Sequence, residues 1–227
     1  MTTVGVLALQ GDFREHILSL RAAGADAIEV RTREELARVD GLIIPGGEST
    51  AIARLLLIFE LFAPIQQLGR DGFPIWGTCA GAILLANDVS GDLDRDPLAL
   101  IPISIDRNAY GRQIDSFETD LPAERLNGGR EPFHAIFIRA PRIRATGPEI
   151  EILLSHQEAN ADDPDSPEPV AVRYGNLLAT TFHPELTNDH RLHAYFIDLC
   201  AHHAATTPDT TPTCVTSQAA LAERGSL

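Results

Sequence analysis

Pro74-Ile75-Trp76-Gly77-Thr78-Cys79-Ala80-Gly81-Ala82-Ile83-Leu84-Leu85 is the stretch on which the reading of this chain turns. It opens as a short apolar strand and closes as an apolar helix, with Gly-x-Cys-x-Gly at the junction. That is the thiol form of a nucleophile elbow, a sharp turn that lifts one side chain above the edge of a sheet. Glycines on either side of Cys79 remove Cβ atoms that would clash in such a turn. The N-terminus of the following helix directs N–H groups and positive dipole character at the sulfur, which favours the thiolate. The competing reading of Cys79 is a small buried hydrophobe, the usual fate of a free cysteine. Cys200 and Cys214 have no comparable setting and keep that plainer reading.

Upstream of the elbow, strand and helix patterns alternate. Val4 to Leu9 is a continuous apolar run ending at Gln10-Gly11, as expected of a strand buried on both faces. Asp12 with Glu15 three residues on predicts a capping box, followed by Phe13, Ile17 and Leu20 on one helix face, with Gly24 as the stop. A strand over Ala27 to Val30, a brief helix opened by Thr32, a strand over Gly41 to Ile44 and helical material from Ser49 to Gly69 complete the half. Short connections between such elements imply right-handed crossovers and a parallel sheet covered on both faces. Downstream, strand signals crowd together at Ile101–Ile105, Phe133–Ile138, Ile150–Leu154, Val170–Tyr174 and Leu177–Phe182, predicting antiparallel additions to the sheet. A last helix over Asn188 to His203 closes the core. Ala159 to Pro169, with four acids and three prolines, reads as an exposed loop, and the Thr-rich residues 204–227 as a disordered tail. The expected division is therefore a folded domain over 1–203 and a tail over 204–227.

Composition narrows the function classes. Of 227 residues, 18 are Lys or Arg and 32 are Asp or Glu, a formal charge of −14 that disfavours nucleic acid or an anionic membrane as partner. The longest uncharged run, Gly72 to Asn87, is interrupted by Pro and Gly and falls short of the roughly 20 apolar residues of a membrane span. The N-terminus has no basic region or small-residue cleavage site, and three scattered cysteines make neither a disulfide framework nor a zinc pair. A soluble protein of a reducing compartment, the cytoplasm, is expected.

A nucleophilic thiol needs a base, and the base needs an orienting group. Phe182-His183-Pro184-Glu185 offers both, Pro184 keeping His183 out of helical geometry and Glu185 able to fix the imidazole tautomer. His190 and His193 lie at helical spacing, and a solvated helix face is the favoured reading over a metal site. His202 and His203 read as surface residues, while His16 and His156 show no partner in sequence. Pro45-Gly46-Gly47-Glu48-Ser49-Thr50 can present bare backbone N–H groups to a negative oxygen, or it is a simple strand-to-helix turn with Ser49 as N-cap. The lack of a Lys-Ser/Thr pair excludes a Walker A loop.

Taken together, Gly46-Gly47-Glu48, Gly77-Thr78-Cys79-Ala80-Gly81 and His183-Pro184-Glu185 resemble the class I, triad-type glutamine amidotransferases. More narrowly, the chain is similar to the glutaminase subunits of pyridoxal 5′-phosphate synthase complexes. Its strings Gly5–Gly11, Arg107-Asn108-x-x-Gly111-Arg112-Gln113-x-Asp115-Ser116-Phe117-Glu118, Phe137–Pro141 and Phe182–Thr187 carry that likeness from about residue 4 to 203. The resemblance implies an α/β, three-layer, flavodoxin-like fold and hydrolysis of L-glutamine to glutamate and ammonia through a Cys79 thioester. It implies Cys79, His183 and Glu185 as catalytic residues, Gly47 and Ala80 as oxyanion donors, and Gly47, Glu48, Ser49, Arg107, Ile138 and Arg139 as the glutamine-binding set. No cofactor or metal is implied. The implied partner is a synthase subunit in a hetero-oligomeric ring that uses the ammonia to build the vitamin B6 coenzyme. The alternatives are a thiol hydrolase, or a glutaminase serving another synthase, on the same fold, and a non-catalytic acidic binding module. The Ala159–Pro169 segment and the tail are longer than the resemblance leads one to expect.

Overall fold

The computed structural model describes residues 1–91, 93–107, 116–126, 129, 131–157 and 167–206. Its centre is a seven-stranded sheet of order β10-β11-β12-β4-β3-β1-β2. The strands are β1 (Thr3–Leu7), β2 (Asp26–Val30), β3 (Gly41–Ile44), β4 (Ile75–Thr78), β10 (Glu151–His156), β11 (Glu168–Tyr174) and β12 (Leu177–Thr180). From β2 across to β12 every pairing is parallel, and β11 and β10 are added antiparallel. The predicted mostly parallel sheet with antiparallel additions is the one observed.

Side-chain alternation assigns the two faces. Val4, Val6, Ile43, Trp76 and Leu178 pack into one core with Ile17 and Leu20 of α1 (Phe13–Ala22) and with Leu192, Phe196 and Leu199 of α6 (Arg191–Thr206). Leu7, Leu42, Ile44, Ile75, Leu177 and Ala179 point the other way, onto α3 (Ser49–Ile58), α4 (Phe62–Arg70) and α5 (Ala80–Leu85). A strand apolar on both faces therefore reads as a continuous run in sequence, which is why β1, β3 and β4 stand out.

Several expectations need correction. The helical material after Ser49 is two helices bent by 101°, because the chain turns at Glu60, whose φ is positive (54°). The strands β6 (Ile101–Asp106) and β8 (Phe133–Ile138) do not join the main sheet. β6 pairs with β5 (Ala86–Ser90) and β9 (Arg142–Thr146), and β8 pairs with β7 (Ser116–Leu121), in two small sheets. Thr32 and Glu35 form a complete capping box on α2 (Arg33–Leu36), but Asp12 makes no side-chain cap on α1. Ser49 is not the N-cap of α3; Glu48 is, its carboxylate accepting from the amides of Thr50 and Ala51. Glu168 and Pro169, read as loop, begin β11, where buried Glu168 accepts from Arg142 Nε at 2.6 Å. The helix α6 runs to Thr206, three residues into the stretch assigned to the tail. The rest of that stretch, most of the 159–169 segment, Cys214 and the run 108–115 lie outside the described residues. No single described helix is long and apolar enough to cross a membrane.

Candidate active site

In an open parallel sheet the loops at the carboxyl ends of the strands, where the strand order reverses, form a crevice. Here β1 leads outward to β2 and the chain returns on its other side to β3. Around that point the loops after β1, β3, β4 and β12 supply Gln10, Gly47, Cys79 and His183 to one pocket of about 480 Å³. Arg107 just after β6, Ile138 at the end of β8 and Arg139 just after it close the pocket, and Glu48, Ser49, Ala80 and Ile83 complete the wall. The sequence-predicted site residues thus converge on one cavity, with Glu185 standing directly behind His183.

Cys79 is held at φ 47° and ψ −103°, in a region that costs a non-glycine residue about 1–3 kcal/mol. The surroundings enforce it. A Cβ on Gly77 would come within 2.5 Å of the Gly81 backbone, and one on Gly81 would collide with the Ile44 carbonyl oxygen. The amide of Cys79 donates to Thr180 O at 2.8 Å, tying the elbow to the end of β12. Three residues later, the amide of His183 donates to Ile136 O at 2.9 Å, which anchors the histidine loop to β8.

His183 is 4 % exposed, and its Nδ1 lies 2.8 Å from Glu185 Oε1. Burial pulls its basicity down, but hydrogen bonds to Cys79 and Glu185 and the attraction of both groups outweigh burial and raise its pKa to about 10. The imidazole is thus held as a cation between a sulfur and a carboxylate. Burial raises the pKa of Glu185, against the opposing pull of His183. Asp12 Oδ2 lies 3.6 Å from His183 Nδ1. Asp12, His183 and Glu185 therefore offer three potential metal ligand atoms within 4.8 Å of one another, although Glu185 Oε1 is already engaged by the imidazole.

The Gly46-Gly47 loop is braced from β1. Gln10 Oε1 accepts from the amide of Glu48 at 2.9 Å, and Gly47, at φ 151°, packs so closely on Gln10 that a Cβ there would strike its amide oxygen. Glu48 is ion-paired with Arg107, whose Nη2 also donates to Thr50 Oγ1 at 2.9 Å. Partial burial opposes ionisation of Glu48, yet the amides of Ala51 and Thr50 and the Arg107 guanidinium hold its carboxyl below the ordinary range. Arg139 sits at the rim with a positive φ of 44°.

A family model described as the SNO glutamine amidotransferase family matches residues 6–202. The chain belongs to that family. Pyridoxal 5′-phosphate synthase subunit PdxT of Dehalococcoides mccartyi is 54 % identical over 197 residues, covering 86 % of this chain and 96 % of that protein. The protein of the same name from Salinispora arenicola is 53 % identical over 197 residues, covering 86 % and 95 %. Among solved structures, one described as a glutamine amidotransferase superposes with a TM-score of 0.77 at 44 % identity, covering 87 % of this chain and 98 % of that one. A Thermoplasma acidophilum structure described as a GMP synthase protein, at TM-score 0.61 and 20 % identity, shares the fold, covering 90 % of this chain and 96 % of that one. None of these likenesses favours the thiol-hydrolase or binding-module alternatives.

The sequence reading of this family member missed several residues that the fold brings to the site. Gln10 and Asp12 line the pocket, and their position just after an N-terminal strand was the available signal. His193, expected on a solvated face, is fully buried. His16, which shows no partner in sequence, has Nε2 3.3 Å from Glu185 Oε2. Cys200 is buried as expected, and burial pushes its thiol up to about 12.

Proposed function

We propose that this chain is the glutaminase subunit of a pyridoxal 5′-phosphate synthase, hydrolysing L-glutamine to L-glutamate and ammonia. The observation that carries the reading is that Cys79 and His183 line one pocket, with His183 Nδ1 2.8 Å from Glu185 Oε1 behind it, within a family of glutamine amidotransferases. The Cys79 thiolate attacks the side-chain amide carbon. The amides of Gly47 and of Ala80, the latter in a first helical turn without intrahelical partners, stabilise the tetrahedral oxyanion. One such donor is worth about 10²–10³ in rate. His183 passes its proton to the departing ammonia, then takes one from water, whose oxygen attacks the thioester and releases glutamate. Glu185 orients the imidazole and stabilises its charge. Glu48, Ser49, Ile138 and Arg139 hold the glutamine, and Arg107 acts with them from its pairing with Glu48.

In this proposal the ammonia serves a synthase partner and the two kinds of protein assemble as a ring; that the relatives are named as subunits of a pyridoxal 5′-phosphate synthase supports the existence of a partner. We assign the glutaminase domain to residues 1–203 on the sequence, with α6 continuing to Thr206. A thiolate enzyme with free Cys79 and Cys200 suits the reducing cytoplasm. The test is glutamate release by Cys79→Ala with the synthase present, together with mass analysis of the parent enzyme for a glutamyl thioester on Cys79. Loss of turnover and appearance of the adduct are expected; undiminished turnover by the variant overturns the reading.

A further inference from the structure

Glu185 has two carboxylate oxygens and the triad uses one. Oε1 faces His183 Nδ1 at 2.8 Å, whereas Oε2 is buried and has no well-directed hydrogen bond. A buried carboxylate oxygen without a donor is costly. The donor-capable atom beside it is His16 Nε2 at 3.3 Å, on a ring that is fully buried.

His16 is itself held on two sides. Its Nε2 lies 3.1 Å from Thr78 Oγ1, on the residue before the nucleophile, and its Nδ1 lies 3.1 Å from His193 Nε2 on α6. The Trp76 ring packs on both imidazoles, with centroids 5.7 Å from His16 and 5.0 Å from His193. Burial, and then the proximity of His193 and His183, hold His16 well below its ordinary pKa; burial and His190 bring His193 to about 3, against a smaller upward pull from Asp189. Both rings are neutral, so each has one N–H and one lone pair. If His16 carried its proton on Nδ1, the Nε2 lone pair would face the Glu185 carboxylate. With the proton on Nε2, that N–H faces Glu185 Oε2 and the Thr78 hydroxyl, while Nδ1 accepts from His193 Nε2–H. Only the second arrangement turns a proton and not a lone pair toward the carboxylate: the N–H lies 3.1 Å from Thr78 Oγ1 and 3.3 Å from Glu185 Oε2, which gains an electrostatic contact in place of a well-directed bond, and His193 Nδ1 keeps a bare lone pair.

We infer that His16 is a positioning residue for the triad: its Nε2–H faces Glu185 Oε2 and keeps Oε1 aimed at His183, with His193 fixing the His16 tautomer. The inference rests on the triad reading given above. The groups facing this cluster are His183, Asp12 and His16 around Glu185, Glu185, Thr78 and His193 around His16, and His190 and Asp189 near His193. Removing the His16 donor lets buried Glu185 take up a proton more readily. His183 then loses its counter-charge and Cys79 its imidazolium partner.

The test compares His16→Phe, which fills the volume without a donor, with His16→Gln, whose amide nitrogen can reach toward Glu185. Two readouts are used: the pH profile of Cys79 alkylation by iodoacetamide on the full chain, and kcat and KM for glutamine with the synthase present. In His16→Phe the pH at which Cys79 becomes reactive rises by about one pH unit and kcat falls about tenfold or more at near-constant KM. His16→Gln recovers most of both. A folded His16→Phe with the parent pH profile, or a His16→Gln no better than His16→Phe, overturns the inference. Should His16→Phe not fold, ¹⁵N NMR of the parent's imidazoles decides: a proton on His16 Nε2 at neutral pH supports the assignment, and a proton on Nδ1 or a cationic ring overturns it. Cys79→Ala separates this from the wider reading. If Cys79→Ala is inactive while His16→Phe matches the parent, the positioning role alone fails; if Cys79→Ala retains turnover, the triad fails first.

Discussion

The amide of Cys79 is hydrogen-bonded to the carbonyl of Thr180, 101 residues away in sequence and three residues before His183. Because β4 and β12 run parallel, with Thr78 opposite Thr180, both chains leave the sheet at the same edge. Cys79 and His183 therefore emerge side by side. This one register decides that a strand–helix elbow and a distant His-Pro-Glu turn meet, and a one-residue slip would point the side chains to opposite faces.

Replacing Glu185 with Gln removes the counter-charge of His183 but keeps its shape. The imidazolium, now persisting to about pH 10, should then deprotonate nearer its ordinary value of 6.5. The expected result is a fall in kcat of about 10²–10⁴, by analogy with amide substitution in other triads, and an alkaline limb displaced to lower pH. Steady-state kinetics across pH with the synthase present check it.

The elbow is sensitive to a single methyl group. Gly81→Ala drives its Cβ into the Ile44 carbonyl oxygen, and backbone is the atom least able to move. A loss of about 2 kcal/mol or more is expected, at the upper part of the range for overpacking. Urea denaturation of parent and variant measures it, and an unchanged midpoint would contradict the close approach of α5 to β3.

Acid should unfold this protein through its buried histidines. His193 titrates at about 3 when folded and near 6.5 when unfolded, so between those values the unfolded chain binds a proton that the fold refuses. Its contribution is full above about pH 6.5 and is lost as pH falls toward 3. Denaturation midpoints at pH 7 and pH 4.5 should differ less for His193→Phe than for the parent.

Glu48 joins α3 to the pocket, since it caps the helix and pairs with Arg107. Glu48→Ala should cost about 1 kcal/mol for the lost cap. It should also raise KM for glutamine more than it lowers kcat, because Arg107 loses one of its partners. Thermal melts and glutaminase kinetics separate the two effects.

The Arg142–Glu168 pair ties β9 to β11 with side chains 9 % and 3 % exposed. Glu168→Ala removes a carboxylate partner from a buried guanidinium and should destabilise the fold, whereas Arg142→Met with Glu168→Leu should come closer to neutral. A double-mutant cycle in urea reads the coupling.

Local chemistry was enough to determine much of this protein from sequence. β1, β3 and β4 were visible because strands buried on both faces must be apolar throughout, and Gly-x-Cys-x-Gly announced its turn because only glycine tolerates that crowding. Cys79, His183 and Glu185, the triad proposed here, could be picked out because a nucleophile, a base and an orienting group are restricted residue types in tight local settings. Tertiary structure alone decided what depends on long-range approach. That β6 and β8 would leave the main sheet, that Asp12 would turn to His183 instead of capping α1, and that His193 would be buried all rest on which elements pack together. The same holds for His16: the carboxylate 3.3 Å from its Nε2 stands 169 positions along the chain, and no local pattern encodes a neighbour that only the closed core supplies.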